Sequence, residues 1–150
     1  MEYNKFEEIV SQAEVLPAVL QVEAHPYYQQ HQLKEKISKY GTKLEAWYPL
    51  GHGDKTLIEQ PIFQELSDKY KKSKVQIILR WHIQDGNIVF PGANKPEHIK
   101  ENLDIYDFQL TDKEMQEIGK IDCGKRYYYL ESDNAAKTYL GMKLDFDAQP

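Results

Sequence analysis

Ala18-Val19-Leu20-Gln21-Val22 is a short, β-branched run, apolar at all but one position, and it stops at His25-Pro26. A half-exposed strand alternates apolar with polar residues, so this near-continuous run predicts a parallel strand buried on both faces. N-terminal to it, Phe6, Ile9, Val10 and Ala13 recur at helical spacing until Pro17 closes the pattern. C-terminal to it, Leu33, Ile37 and Tyr40 mark a second helix with Lys34, Glu35, Lys36 and Lys39 outward, and Gly41 supplies a left-handed cap. Leu44-Glu45-Ala46-Trp47 then predicts a second strand. Strands separated by helices require crossovers, and crossovers make a parallel sheet.

From Tyr48 to Gln60 the chain reads as a surface loop, interrupted by Pro49, Gly51 and Gly53. Pro61 to Tyr70 follows as a short helix. Ser73 with Gln76 forms a capping box for a helix carrying Val75, Ile78, Leu79 and His82, which Gly86 ends. Ile88-Val89-Phe90 predicts a third strand, cut off by Pro91-Gly92. Pro96 opens a helix with Ile99 and Leu103 inward, and Thr111 with Glu114 caps another ahead of Met115, Ile118 and Ile121. The class is α/β. Gly124 to Pro150 contains Tyr127-Tyr128-Tyr129 and Tyr139 without a clear period, and is expected to be an irregular tail that packs where it finds apolar surface.

At 150 residues, 41% apolar and 29% charged, the chain has the composition of one globular domain. Its mean hydropathy of -0.71 reflects a charged surface rather than a missing core, because 12% of its residues are aromatic. The net charge is -5 and the basic residues are scattered, so nucleic acid is not an expected partner. The single Cys123 excludes an intramolecular disulfide and a cysteine-cluster metal site. Met1 to Glu8 is acidic where a signal peptide needs base, and no run approaches about 18 apolar residues, so a cytoplasmic chain with no membrane span is expected. No pair among His25, His31, His52, His82 and His98 has ligand spacing with a third ligand, so no metal is expected, and His82 reads as a hydrogen-bonded core histidine. Gly51-His52-Gly53 lacks the fingerprint and the lysine of a phosphate loop.

Three ordered motifs carry more. Pro17-Ala18-Val19-Leu20-Gln21-Val22-Glu23-Ala24-His25-Pro26-Tyr27, Leu44-Glu45-Ala46-Trp47-Tyr48-Pro49-Leu50-Gly51 and Pro96-Glu97-His98-Ile99-Lys100-Glu101-Asn102 resemble the aldo-keto reductase family across approximately residues 5 to 122. The resemblance implies a TIM-barrel fold that uses NADPH to reduce carbonyls, with the three strands here corresponding to the sixth, seventh and eighth of eight. It implies a single partial domain over 1–150, family-like over 1–122, with an irregular tail over 123–150. The family's catalytic Asp, Tyr, Lys and His lie on earlier strands, so no catalytic residue is expected here and the chain is expected to be inactive alone. Nothing in the sequence places one of its eleven tyrosines beside a lysine and a histidine at a strand end.

The resemblance also implies a cofactor, NADP or NAD, and residues to hold it. Gln21 would contact the nicotinamide carboxamide; the plainer reading is a solvated polar residue. Trp47 would stack on the nicotinamide ring, although a core tryptophan fits the pattern as well. Tyr48, Pro49, Leu50 and Gly51 would bring backbone to the pyrophosphate, with Gly51 permitting close approach. Where the family commonly has Lys-Ser for the adenosine 2'-phosphate this chain has Gly92 and Ala93, leaving Asn94, Lys95 and His98 nearby, so a preference for NADP over NAD is weakened. Glu101 and Asn102 match the family's adenine contacts, against the plainer reading of a solvated helix face. The alternative function is a non-catalytic nucleotide-binding or assembly module. In it, open-face residues such as Val19, Gln21, Ala46 and Val89, together with two unpaired sheet edges, would be covered by a second copy or by a complementing chain.

Overall fold

The computed structural model describes residues 2–93 and 95–128. Its elements are α1 (Glu2–Gln12), β1 (Val19–Glu23), α2 (His31–Ser38), β2 (Lys43–Trp47), a 3-10 turn (Gly51–Gly53), α3 (Lys55–Ile58), α4 (Pro61–Tyr70), α5 (Lys74–Gln84), β3 (Ile88–Val89), α6 (Pro96–Leu103) and α7 (Asp112–Gly119). The strands form one parallel sheet in the order β1-β2-β3, with Val22 opposite Ala46 and Ala46 opposite Val89. It is the parallel α/β sheet that the alternation of strands and helices predicts, and it fits the three strands of a barrel that the resemblance implies.

Both capping boxes form as their spacing requires. Ser73 Oγ accepts from the Gln76 backbone N–H while the Gln76 side chain accepts from the Ser73 N–H, and Thr111 with Glu114 does the same at α7. The Gln76 amide also donates to the carbonyls of Glu101 at 3.0 Å and Asp104 at 2.9 Å, so the start of α5 ties down the end of α6. On one face of the sheet Phe6, Leu33 and Ile37 pack over Leu44 and Ala46. A second cluster joins Leu57, Phe63, Leu66, Ile77, Trp81 and Ile118. Each such side chain contributes about 1.5 to 3 kcal/mol by leaving water.

Four expectations are corrected. β1 is not buried on both faces: Val19 remains 42% exposed and Gln21 is exposed, because helices cover only the face that holds Leu20 and Val22. Ala46 and Val89 do not share the open face with Gln21; the register places them with Val22 on the covered one, while Glu45, Trp47 and Ile88 lie on the side of Gln21. Ile99 and Leu103 are not buried as expected, being 52% and 65% exposed, because the groove they line with Leu79 and Val89 is left open. Residues 48–60 are more than a loop: Asp54 accepts from the Thr56 N–H and starts α3, which delivers Leu57 fully buried into the larger cluster. The described part of the tail, 124–128, is irregular; Tyr129, Tyr139 and the rest lie outside the described residues.

Candidate functional site

At the C-terminal end of a parallel sheet the chain turns out of each strand, and loops from neighbouring strands meet. Because Ala46 pairs with Val89, the Tyr48–Gly51 loop and the Pro91-Gly92-Ala93 turn leave β2 and β3 side by side. On the open face Gln21 Nε2 donates to Glu45 Oε1 across the β1-β2 pair. The half-buried Trp47 ring stacks on Tyr48 with centroids 4.0 Å apart and planes 18° off parallel, and Tyr128 meets it edge-on at 4.8 Å. Tyr48 holds a left-handed φ of 57°, uncommon for a residue with a side chain, and so aims its ring back at Trp47.

Gly51 is buried, and its neighbours explain why a glycine stands there. A Cβ built on it would lie 2.6 Å from Leu57 Cδ2 and 3.0 Å from the Tyr127 ring, so the close approach is made by the protein's own side chains. Gly92, Ala93, His98 and Glu101 are exposed, and Asn94 lies outside the described residues. Asn102 lines an apolar groove of about 360 Å³ with Leu79, Val89, Phe90, Ile99 and Leu103. Since Val89 is on the covered face, that groove opens away from Gln21.

His82 props the loop from beneath. It is wholly buried, its Nε2 donates to the Pro49 carbonyl at 2.9 Å, and its Nδ1 accepts from Asn87 Nδ2 at 3.1 Å. That pair of bonds requires the neutral ring, and burial pushes its pKa down to about 3 from 6.5. Burial also pushes His25 down. The unfolded chain therefore takes up protons below pH 6.5 that the fold refuses, and stability falls as the pH drops from 6.5 toward 3. Urea melts are expected to show a slope approaching about 1.4 kcal/mol per pH unit from His82. Equal stability at pH 7.5 and 5.5 contradicts the assignment.

Sequence reasoning missed the groups that close this end of the sheet. Glu23 is almost fully buried; its carboxylate accepts from the backbone N–H of Tyr127 at 2.5 Å and of Tyr128 at 3.4 Å, and pairs with Arg126 at 3.5 Å and His25 Nε2 at 3.2 Å. Asp54 Oδ2 accepts from Tyr127 Oη at 2.6 Å and Lys125 Nζ at 2.8 Å. The His25 ring lies 4.8 Å from that of Tyr127. A tyrosine does therefore stand beside a lysine, a histidine and an aspartate near the strand ends, against the sequence expectation. Its electrostatics are those of a poor acid: burial, and then the Asp54 carboxylate, push the phenol up to about 12, and Lys125 opposes this only in part. A proton donor needs the reverse. The available signals were Glu23 two residues before His25, and the Asp54-x-Thr56 cap.

Among the described residues no group of three or more His, Cys, Asp or Glu is placed to hold a metal ion, and no helix is long and apolar enough to cross a membrane. The sequence model of the aldo/keto reductase family matches residues 2–122. The chain belongs to that family. It is 37% identical over 123 residues to methylglyoxal reductase DkgA of Escherichia coli K12, covering 82% of this chain and 45% of that protein. Against aldo-keto reductase family 1 member A1 of Gallus gallus it is 39% identical over 132 residues, covering 83% and 40%. The chain thus spans about half the length of the curated family members it matches. Among solved structures, the Brucella melitensis aldo/keto reductase superposes with a TM-score of 0.73 at 41% identity, covering 80% of this chain and 45% of that one. The Bombyx mori aldo-keto reductase in complex with NADP superposes with a TM-score of 0.78 at 29% identity, covering 87% and 45%. The shared fold is the TIM barrel of the family, of which these residues form three strands.

Proposed function

We propose that residues 1–150 form the dinucleotide-binding portion of an NAD(P)H-dependent carbonyl reductase, family-like over 1–122 with a tail over 123–150, and that they do not turn over substrate by themselves. What carries the reading is the strand register, which sets Gln21 beside Glu45 on the open face and brings Trp47 and the turn after β3 to the C-terminal end of a parallel sheet, in a family whose solved members include a complex with NADP. When bound, the nicotinamide supplies hydride. Gln21, on the open face, offers an amide that both donates and accepts to the carboxamide, exchanging its bond to Glu45 for one to the ligand. Trp47 supplies the flat surface that fixes which side of the ring faces the substrate. The backbone of Tyr48, Pro49, Leu50 and Gly51 borders the pyrophosphate. Gly92, Ala93, Asn94 and His98 border the adenosine phosphate, and Glu101 and Asn102 the adenine.

Neither Gly92 nor Ala93 has a charged or hydroxyl group, so the 2'-phosphate keeps only backbone and weak side-chain contacts. NADPH should then gain little over NADH. Gly92→Lys is expected to strengthen NADPH binding by about 1 to 3 kcal/mol through a charge-assisted hydrogen bond, and to leave NADH unaltered. Gly92 has nothing within 4 Å of a Cβ, so the lysine has room. Calorimetry giving equal NADPH affinity before and after the change removes the phosphate assignment.

A second reading, a non-catalytic module in the cytoplasm that assembles with itself or with a complementing chain, is favoured by the outer edges of β1 and β3, which no other strand pairs among the described residues. Exposed apolar groups lie near these edges: Val19 beside the first, and Phe90, Ile99, Leu103 and Tyr106 beside the second. Light scattering separates the readings, because a module of this kind gives a mass above that of one chain.

A further inference from the structure

We propose that Cys123–Tyr128 is a strap across the Trp47–Gly51 platform that must lift before a flat nicotinamide ring can stack on Trp47, so that the Asp54–Tyr127 hydrogen bond sets how readily a dinucleotide enters. This rests on the reading of Trp47 as the stacking surface.

Tyr27, Glu23 and Asp54 fasten the strap. The N–H groups of Cys123 and Lys125 both donate to the Tyr27 carbonyl at 3.2 Å, just beyond the exit of β1. Glu23 receives the N–H groups of Tyr127 and Tyr128. Asp54, on the loop that follows β2, receives the Tyr127 hydroxyl and the Lys125 ammonium, whose Nζ also lies 4.6 Å from the centre of the Tyr127 ring. The first two fasten the strap to β1 and its exit. The third reaches across to the loop and joins strap and loop into one clasp.

The clasp lies on the residues assigned to the cofactor. The Tyr127 ring fills the space that a side chain at Gly51 would take, and Tyr128 stands perpendicular to Trp47 with centroids 4.8 Å apart. Tyr48, which lies outside the strap, covers one face of the indole as a near-parallel stack, so an incoming ring has the other. Aromatic pairs sit with centroids about 4.5 to 7 Å apart, so Tyr128 at 4.8 Å already takes the place of a ring beside Trp47. Binding therefore selects strap-open molecules, and the apparent affinity is reduced by the fraction that is open.

Tyr127→Phe tests this, because it removes one hydroxyl and keeps the ring that packs on Gly51. Lys125 and Arg126 put two trypsin sites inside the strap, so opening can be read without any ligand. Relative to the native 150-residue chain, the variant is expected to be cut at those two bonds about tenfold faster, with cleavage elsewhere unchanged, and to bind NADPH about tenfold tighter with a faster on-rate in stopped flow. NADH is expected to show the same gain, because the strap meets the part the two dinucleotides share. Tyr128→Ala, which clears the ring from Trp47 and keeps the Asp54 bond, is expected to tighten binding in the same direction. Faster strap cleavage with unchanged or weaker NADPH binding overturns the gating role while leaving the dinucleotide site in place. Unchanged strap cleavage in Tyr127→Phe overturns the latch. If the native chain and both variants fail to bind either dinucleotide, the strap proposal and the cofactor reading fall together.

Discussion

Gly51→Ala is expected to destabilise the chain by about 2 to 5 kcal/mol. Two costs combine at this position. Gly51 has a φ of +59°, a region that a side chain enters at about 1 to 2 kcal/mol. The added Cβ would also sit 2.6 Å from Leu57 Cδ2, and Leu57 is fully buried in the larger cluster with Phe63, Ile77 and Trp81 around it, so it cannot retreat without disturbing a packed core. Gly86→Ala separates the two costs. Gly86 has a φ of +79° with nothing within 4 Å of its Cβ, so it should lose only the backbone part, about 1 kcal/mol. Urea unfolding of the two variants beside the parent measures the difference. Equal losses at the two glycines would show that Leu57 and Tyr127 do not press on Gly51.

The chain incubated with NADPH and a broad panel of aldehydes should consume no cofactor above the buffer blank. Hydride transfer to a carbonyl needs a group that donates a proton to the oxygen as charge develops there, a contribution of about 10² to 10⁴ in rate for a single acid–base group. Among the described residues, the phenol with a lysine, a histidine and an aspartate around it is Tyr127, and its proton is held by burial and by the Asp54 carboxylate with a pKa pushed up to about 12. The same carboxylate pairs with Lys125, so the ammonium that would draw the phenol down is itself neutralised. A steady rate of NADPH oxidation that disappears in Tyr127→Phe would overturn both this prediction and the account of Tyr127 as a structural latch.

The elements that could be read from the sequence were those decided by neighbours along the chain. Both capping boxes, the stop at Gly86 and the three strands needed only spacing and the chemistry of a few side chains. His82 was recognised as a core histidine because its apolar flanks repeat at helical spacing. Periodicity says that a face exists but not whether anything covers it. Ile99 and Leu103 have the spacing of a buried stripe and remain largely exposed, and β1 has the composition of a doubly covered strand with one side open.

The sequence alone determined the α/β class, the parallel order implied by its crossovers, and three motifs specific enough to point to the family whose model matches residues 2–122. The tertiary structure decided which side of each strand faces the site. Ala46 and Val89 pair through the register of β2 with β3, and shifting that register by one residue would exchange them with Glu45 and Ile88. It also decided what closes the mouth of the sheet. Glu23 and Asp54 meet Tyr127 only across 104 and 73 residues of chain, and no local propensity encodes contacts at that separation. They form because the folded elements bring two carboxylates to the place where the strap's N–H, hydroxyl and ammonium groups lose their water.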